Sequence, residues 1–180
     1  QVDMSQGQWL VLASANYFLD GAKELCQLKG WYYSHKNKNS VSENLLTAIQ
    51  NWERLRKGES LNFLQIKNIY SYLSDNVTRG YRTAKTLDVD LKYNLETCIA
   101  DHGLQTDKPW HDSFAGLNTS MEMYIRNMRA QDEAIFKTPR IILSTIHGAK
   151  GGEADNVLLL PDITKSALDH SDRDADELHR

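Results

Sequence analysis

A chain of 180 residues has room for one domain, or for one domain carrying an insertion. Its 41% hydrophobic and 25% charged residues are those of an ordinary soluble globular chain. A net charge of −3 excludes the strongly basic composition of many nucleic-acid-binding domains, so any grip on a polyanion must come from a local surface.

The chain opens on the polar residues 1–8, without the basic-then-apolar order of a signal peptide. Trp9, Leu10, Val11, Leu12 and Ala13 form a short apolar run, the pattern of a strand buried on both faces of a parallel sheet. Residues 16–28 follow with helical spacing, Phe18, Leu19, Ala22, Leu25 and Cys26 sharing one stripe, and Lys29 with Gly30 closes that helix. Trp31, Tyr32 and Tyr33 read as a second strand, which completes a βαβ unit.

From residue 36 the pattern turns helical. After a polar, basic link at residues 35–39, Ser42 is placed to cap a helix through Leu45, Leu46, Ile49, Trp52 and Leu55 that ends at Gly58. A second helix is expected from Ser60 through Leu61, Leu64, Ile66, Ile69, Tyr70 and Leu73. Residues 75–86 read as a loop in which Arg79, Tyr81, Arg82 and Lys85 form a basic, aromatic cluster, flanked by Asp75, Asp88 and Asp90 and best read as solvated. Further helices are expected over residues 90–100 and 119–136, the latter with Met121, Tyr124, Ile125 and Met128 inward, and Trp110 and His111 after Pro109 read as a helix start. Trp52, Tyr70 and Tyr72 are expected in the core of this stretch, which shows no convincing strand from residue 36 to 138.

After Pro139 the strand character returns. Residues 140–145 and 157–160 both read as buried parallel strands, with a polar, glycine-rich turn between them, and an acidic tail follows Pro161. The reading is therefore an α/β fold with a parallel sheet, residues 1–35 and 139–180 sharing that sheet and residues 36–138 forming an inserted all-α subdomain. No run of about 18 apolar residues is present, so no membrane span is expected. Cys26 and Cys98 read as reduced, buried thiols, which places the protein in the cytoplasm, and the six histidines show no metal-ligand spacing, so no metal site is expected.

The chemistry concentrates in Thr145, Ile146, His147, Gly148, Ala149, Lys150, Gly151, Gly152 and Glu153, directly after a buried strand. Ligands of open α/β sheets gather at the carboxyl ends of such strands. Hydroxyl, ammonium and exposed amides suit phosphates, and a carboxylate suits ribose hydroxyls. The segment is not a Walker A loop: Lys150 precedes Gly151 and no hydroxyl residue follows. Without a phosphate-cradling loop the chain lacks the parts for independent NTP hydrolysis, and no catalytic residue is assigned to it.

The pattern Thr145-x-His147-x-x-Lys150-Gly151-x-Glu153, between the apolar strands, resembles motif V of the UvrD/Rep/PcrA-like superfamily 1 DNA helicases. Gly152 and Ala154 depart from that family, which shows a leucine and an aromatic there. Residues 11–16 are similar to the strand that opens the family's second RecA-like domain, with Ser14 where an arginine is usual, and residues 176–180 look like the start of motif VI. The resemblance spans roughly residues 9–34 and 140–180; the middle matches by position, since the family inserts an accessory subdomain there.

What the resemblance implies is a P-loop-NTPase-type RecA-like domain that lacks the P-loop, cut off within motif VI and inactive alone. Thr145, His147 and Asn16 would contact single-stranded DNA; Glu153 would hold the ATP ribose, with Lys150 and Gly151 near phosphate. ATP with Mg2+ would sit against a first RecA-like domain of the same polypeptide, with none bound by the fragment, and translocation would run 3′ to 5′. Plainer readings stand beside these: Thr145 as a strand end, His147 as a structural imidazole, Lys150 and Glu153 as a surface ion pair, and Asn16 as a helix cap. The alternative function is a degenerate helicase-like module that binds a protein partner; a small α/β enzyme using His147 with an aspartate ranks third, since no nucleophile stands beside a base in a recognisable pattern.

Overall fold

The structure, a computed structural model, describes residues 2–78 and 87–162. The cluster of Arg79, Tyr81, Arg82 and Lys85, and residues 176–180 with their likeness to motif VI, lie outside the described residues. The elements in chain order are β1 (Trp9–Ala13), a 3-10 turn (Asn16–Leu19), α1 (Asp20–Lys29), β2 (Tyr33–His35), β3 (Lys38–Asn39), α2 (Glu43–Arg56), β4 (Leu61–Asn62) and α3 (Phe63–Tyr70). A short 3-10 turn at Asp75–Val77 follows, then β5 (Lys92–Tyr93), α4 (Leu95–Asp101), α5 (Trp110–Ser113), α6 (Thr119–Ala130), β6 (Ile141–Thr145) and β7 (Asn156–Leu159).

The chain is α/β and divides into two compact units, Gln1–Ser40 with Tyr124–Arg180, and Val41–Met123. Residues 124–138, read from sequence with the helical stretch, group with the sheet. The reason is local bonding: the Tyr124 hydroxyl donates to the Trp31 carbonyl at 2.8 Å, and Glu133 pairs with Arg140 at the head of β6.

The first unit holds a mixed, mostly parallel five-stranded sheet in the order β3-β2-β6-β1-β7, an arrangement compatible with Rossmann and RecA-like folds. β1 runs parallel to both β6 and β7, with Leu10 in register with Ile142 and Val157. β2 runs parallel to β6, while β3 returns antiparallel to β2. The return is a two-residue turn with Lys36 at φ 51° and Asn37 at φ 59°, the left-handed pair of a type I′ hairpin. Residues 35–39, read from sequence as a link, thus include a strand, and the strand expected at residues 31–33 begins at Tyr33.

One face of the sheet is closed. Val11, Ala13, Ile141 and Leu143 are buried there, and Tyr33 on the same face meets Gln27 of α1 and the Tyr124 ring of α6. α1 ends on Gly30 at φ 69°, where an added Cβ would lie 2.5 Å from the backbone carbon of Asn127 in α6. Only glycine permits that turn and that approach together. The opposite face is open among the described residues: Ile142 is 41% exposed, Val157 58% and Leu159 55%. Among the described residues β7 is an edge strand with one neighbour, so the expectation of a strand buried on both faces fails at residues 157–160, and it fails on the open face of β6 at Ile142. An apolar run reports a strand's composition, not whether a helix layer reaches it.

The second unit packs α2 against α3 and α5 around Trp52, Leu55, Ile66 and Ile69, and the Trp52 indole donates to the Lys108 carbonyl at 3.0 Å. Trp52 and Tyr70 are buried as expected, while Tyr72 is half-buried and stacks on Phe114. Ser42 caps α2 as read from sequence. The unit is not strand-free: β4 and β5 pair antiparallel, Leu61 opposite Tyr93. Two capping boxes set the following helices later than expected, at Asn62 with Gln65 and at Asn94 with Thr97. No helix among the described residues is long and apolar enough to cross a membrane.

Candidate functional site

β6 delivers Thr145 to the carboxyl edge of the sheet, beside Ala13 of β1. The chain then crosses β1 to reach β7 on its far side, through residues 146–155, without a regular helix. Crossovers between parallel strands ordinarily need a dozen or more residues and a helix. This one is shortened by backbone bonds: Ile146 N–H donates to the Ala13 carbonyl at 3.0 Å, Ala149 N–H to the Thr145 carbonyl at 3.0 Å, and Gly152 N–H to the Ala149 carbonyl at 2.8 Å. Gly151 adopts φ 81°, and Gly152 lies over Leu10, whose Cδ2 would be 3.8 Å from an added Cβ. The glycines are therefore the means by which a tight crossover lies down on the open face.

Thr145 organises the start of this loop. Its Oγ1 accepts from the Gly148 N–H at 3.1 Å. A Cβ on Gly148 would meet Ser144 Oγ at 2.9 Å and Thr145 Oγ1 at 3.1 Å, so a side chain there would displace these hydroxyls, Thr145's bond to the loop among them. The reading of Thr145 as a mere strand end omits this bond.

Beside the loop lies a cavity of about 640 Å³ with an apolar floor, Leu10 and Ile142, and polar walls. One wall is the crossover, with Lys150, Gly151 and Glu153; the other is the β2–β3 turn, with His35, Lys36 and Asn37. Five of the six residues singled out from sequence, Asn16, Thr145, Lys150, Gly151 and Glu153, line this one cavity. His147 does not: it is exposed, and outside the lining. Lys150 and Glu153 are both exposed and are not paired with each other, which sets aside the ion-pair reading.

Asn16 is not a helix cap. Ala15 occupies the N-cap of the 3-10 turn without a side-chain bond, and Asn16 Oδ1 lies 3.0 Å from His35 Nε2. Burial, reinforced by Lys23 and Lys36 and opposed by Asp20, holds the His35 imidazole below its ordinary pKa. Ser14, standing where the resemblance places an arginine, donates to the Asp162 carbonyl at 2.8 Å and so ties the end of β1 to the chain beyond β7. Among the described residues no group of three or more His, Cys, Asp or Glu side chains is gathered as metal ligands.

The wall formed by His35, Lys36 and Asn37 was not legible as part of a site. Its signal in sequence was the alternation Lys36, Asn37, Lys38, Asn39, in which a tight hairpin hides within what reads as a solvated link. Comparison with protein families, with curated proteins and with solved structures finds no match for this chain.

Proposed function

We propose that the chain is the second RecA-like domain of a superfamily 1 DNA helicase, supplying contacts to single-stranded DNA and one wall of an ATP site. The observation that carries this reading is the convergence of Asn16, Thr145, Lys150, Gly151 and Glu153 on one cavity at the carboxyl edge of a parallel sheet. Thr145, Lys150, Gly151 and Glu153 belong to one nine-residue pattern, and Asn16 joins them from the far end of the chain. Hydroxyl, amide and ammonium donors suit a phosphodiester strand, and the exposed Glu153 carboxylate, which pairs with no cation among the described residues, suits sugar hydroxyls. In this reading a first RecA-like domain supplies the P-loop and the magnesium ligands.

The competing reading is a helicase-like module that docks a protein partner. It draws on the exposed apolar side chains Ile142, Val157 and Leu159 and on the position of His147 outside the cavity. Fluorescence anisotropy with a labelled short oligothymidylate decides between the two. The helicase reading expects binding that weakens steeply with salt and no ATP turnover by the purified chain. Salt-independent or absent binding favours the module, and ATP turnover by the chain itself overturns the helicase-fragment reading.

A further inference from the structure

His35 lines the cavity from the end of β2, outside the residue 145–153 pattern. Its Nε2 lies 3.0 Å from Asn16 Oδ1. An amide oxygen only accepts, so the imidazole carries its proton on Nε2 and donates there. Two consequences follow for the ligand face. The Asn16 carbonyl is occupied, which leaves its two N–H donors for whatever fills the cavity, and no bond from them to a described residue is present. The neutral imidazole keeps Nδ1 as an acceptor, so a second proton adds a donor and a positive charge without breaking the bond to Asn16.

We propose that His35 and Asn16 act as one ligand-reading pair on the cavity wall, Asn16 donating to an oxygen of a phosphodiester strand while His35 takes up a proton as that strand binds. The proposal rests on the nucleic-acid reading of the same cavity. The charges around the ring favour the linkage. Lys36 adjoins His35 on the turn, Lys38 is its cross-strand partner on β3, and Lys23 of α1 acts on it at longer range, opposed by Asp20, with which Lys23 is paired; Lys150 and Glu153 stand on the facing wall of the cavity. β6 offers only Leu143 in register with it. In the free protein burial, with Lys23 and Lys36, holds the ring below its ordinary pKa. An anionic strand reverses the balance, and the bound-state pKa rises.

The sign is fixed by that order. Extra affinity from a protonated His35 is fully present below the free-protein pKa and is lost as pH rises through the bound-state pKa. Affinity therefore climbs as pH falls through the bound-state pKa toward the free-protein one, by roughly tenfold for each unit of pKa rise.

The test is anisotropy with a labelled oligothymidylate, whose bases do not titrate in this range, on the full chain and on His35→Gln, Asn16→Ala and His147→Gln. His35→Gln keeps an N–H donor but cannot titrate: it is expected to bind with a flat pH profile. Asn16→Ala is expected to lose roughly fivefold in affinity at every pH. His147→Gln is expected to keep the slope, and the His35 imidazole NMR titration is expected to move to higher pH when the oligonucleotide is added. A wild-type slope in His35→Gln, or loss of the slope in His147→Gln, overturns the pair and leaves the nucleic-acid reading standing. Failure of the unaltered chain to bind at any pH sinks that reading, and the pair with it.

Discussion

Glu133 grips Arg140 with both carboxylate oxygens, Nε to Oε1 at 2.8 Å and Nη2 to Oε2 at 3.2 Å. The Arg140 guanidinium also donates to the Met4 carbonyl, and the Arg140 backbone carbonyl accepts from Trp9 N–H at 2.7 Å. One side chain thus clamps the amino-terminal arm and the start of β6, the strand that presents Thr145. The Glu133 side chain is only 8% exposed, so removing its partner strands a carboxylate in a poor environment. Arg140→Ala is expected to destabilise the fold by about 2–3 kcal/mol, measured as a lower urea midpoint at unchanged slope. Glu133→Gln, which retains an acceptor oxygen, is expected to cost less. A midpoint shift in Arg140→Ala no larger than that of an exposed lysine variant would show that the clamp does not hold the sheet.

Gly30 gives a second test of the same unit. Its left-handed backbone and its approach to Asn127 both exclude a side chain. Gly30→Ala is expected to lose more than about 2 kcal/mol, while Gly58→Ala, at φ 89° with open space around it, is expected to lose about 1 kcal/mol. Equal melting temperatures for the two variants would mean that the contact between α1 and α6 yields freely.

The two thiols carry an alkaline limit. Burial pushes Cys26 up to about 12 and Cys98 up to about 11, from an ordinary value of 9.0. Tyr70 and Tyr124 are raised by burial in the same direction. A folded-state pKa above the unfolded one contributes stability that is complete below the unfolded value and fades as pH climbs toward the folded one. Stability is thus expected to fall from about pH 9 upward, followed by circular dichroism. At lower pH both thiols are expected to resist a disulfide reagent until the chain unfolds. Rapid labelling of either cysteine in the native state would contradict the packing around it.

Lys150 tests the crossover wall. If it meets a phosphate, Lys150→Ala is expected to weaken oligonucleotide binding and to reduce the slope of log affinity against log salt by roughly one. Glu153→Gln, in the same reading, is expected to leave that slope nearly unchanged and to weaken nucleotide binding. A slope unaffected by Lys150→Ala would remove the lysine from the contact surface.

Composition and spacing were enough for β1, α1, α2 and β6, because each is an apolar run or stripe with its own start or stop: Gly30 after α1, Ser42 before α2. They failed where a short polar feature decides the backbone. β3 exists because Lys36 and Asn37 both turn left-handed, and α6 stops at Ala130 rather than near residue 136, with Asp132 at φ 52° just beyond. The capping boxes at Asn62 and Asn94 start α3 and α4, later than the helix starts that spacing alone suggests at Ser60 and Asp90. The cavity was half legible: the crossover wall follows a pattern along the chain, whereas His35 reaches it only because β2 pairs with β6, a long-range fact that no local spacing encodes.

The crossover is also a tether. Because residues 146–155 join β6 to β7 across β1, a pull on Lys150 or Glu153 is passed toward the beginning of β7, held to Gln8 through Asn156 N–H at 3.1 Å. Ser14 and Asp162 fasten the other end of that strand. A load applied at the glycines is thereby carried to the sheet margin as tension along one strand, much as a strap transmits force to its two buckles.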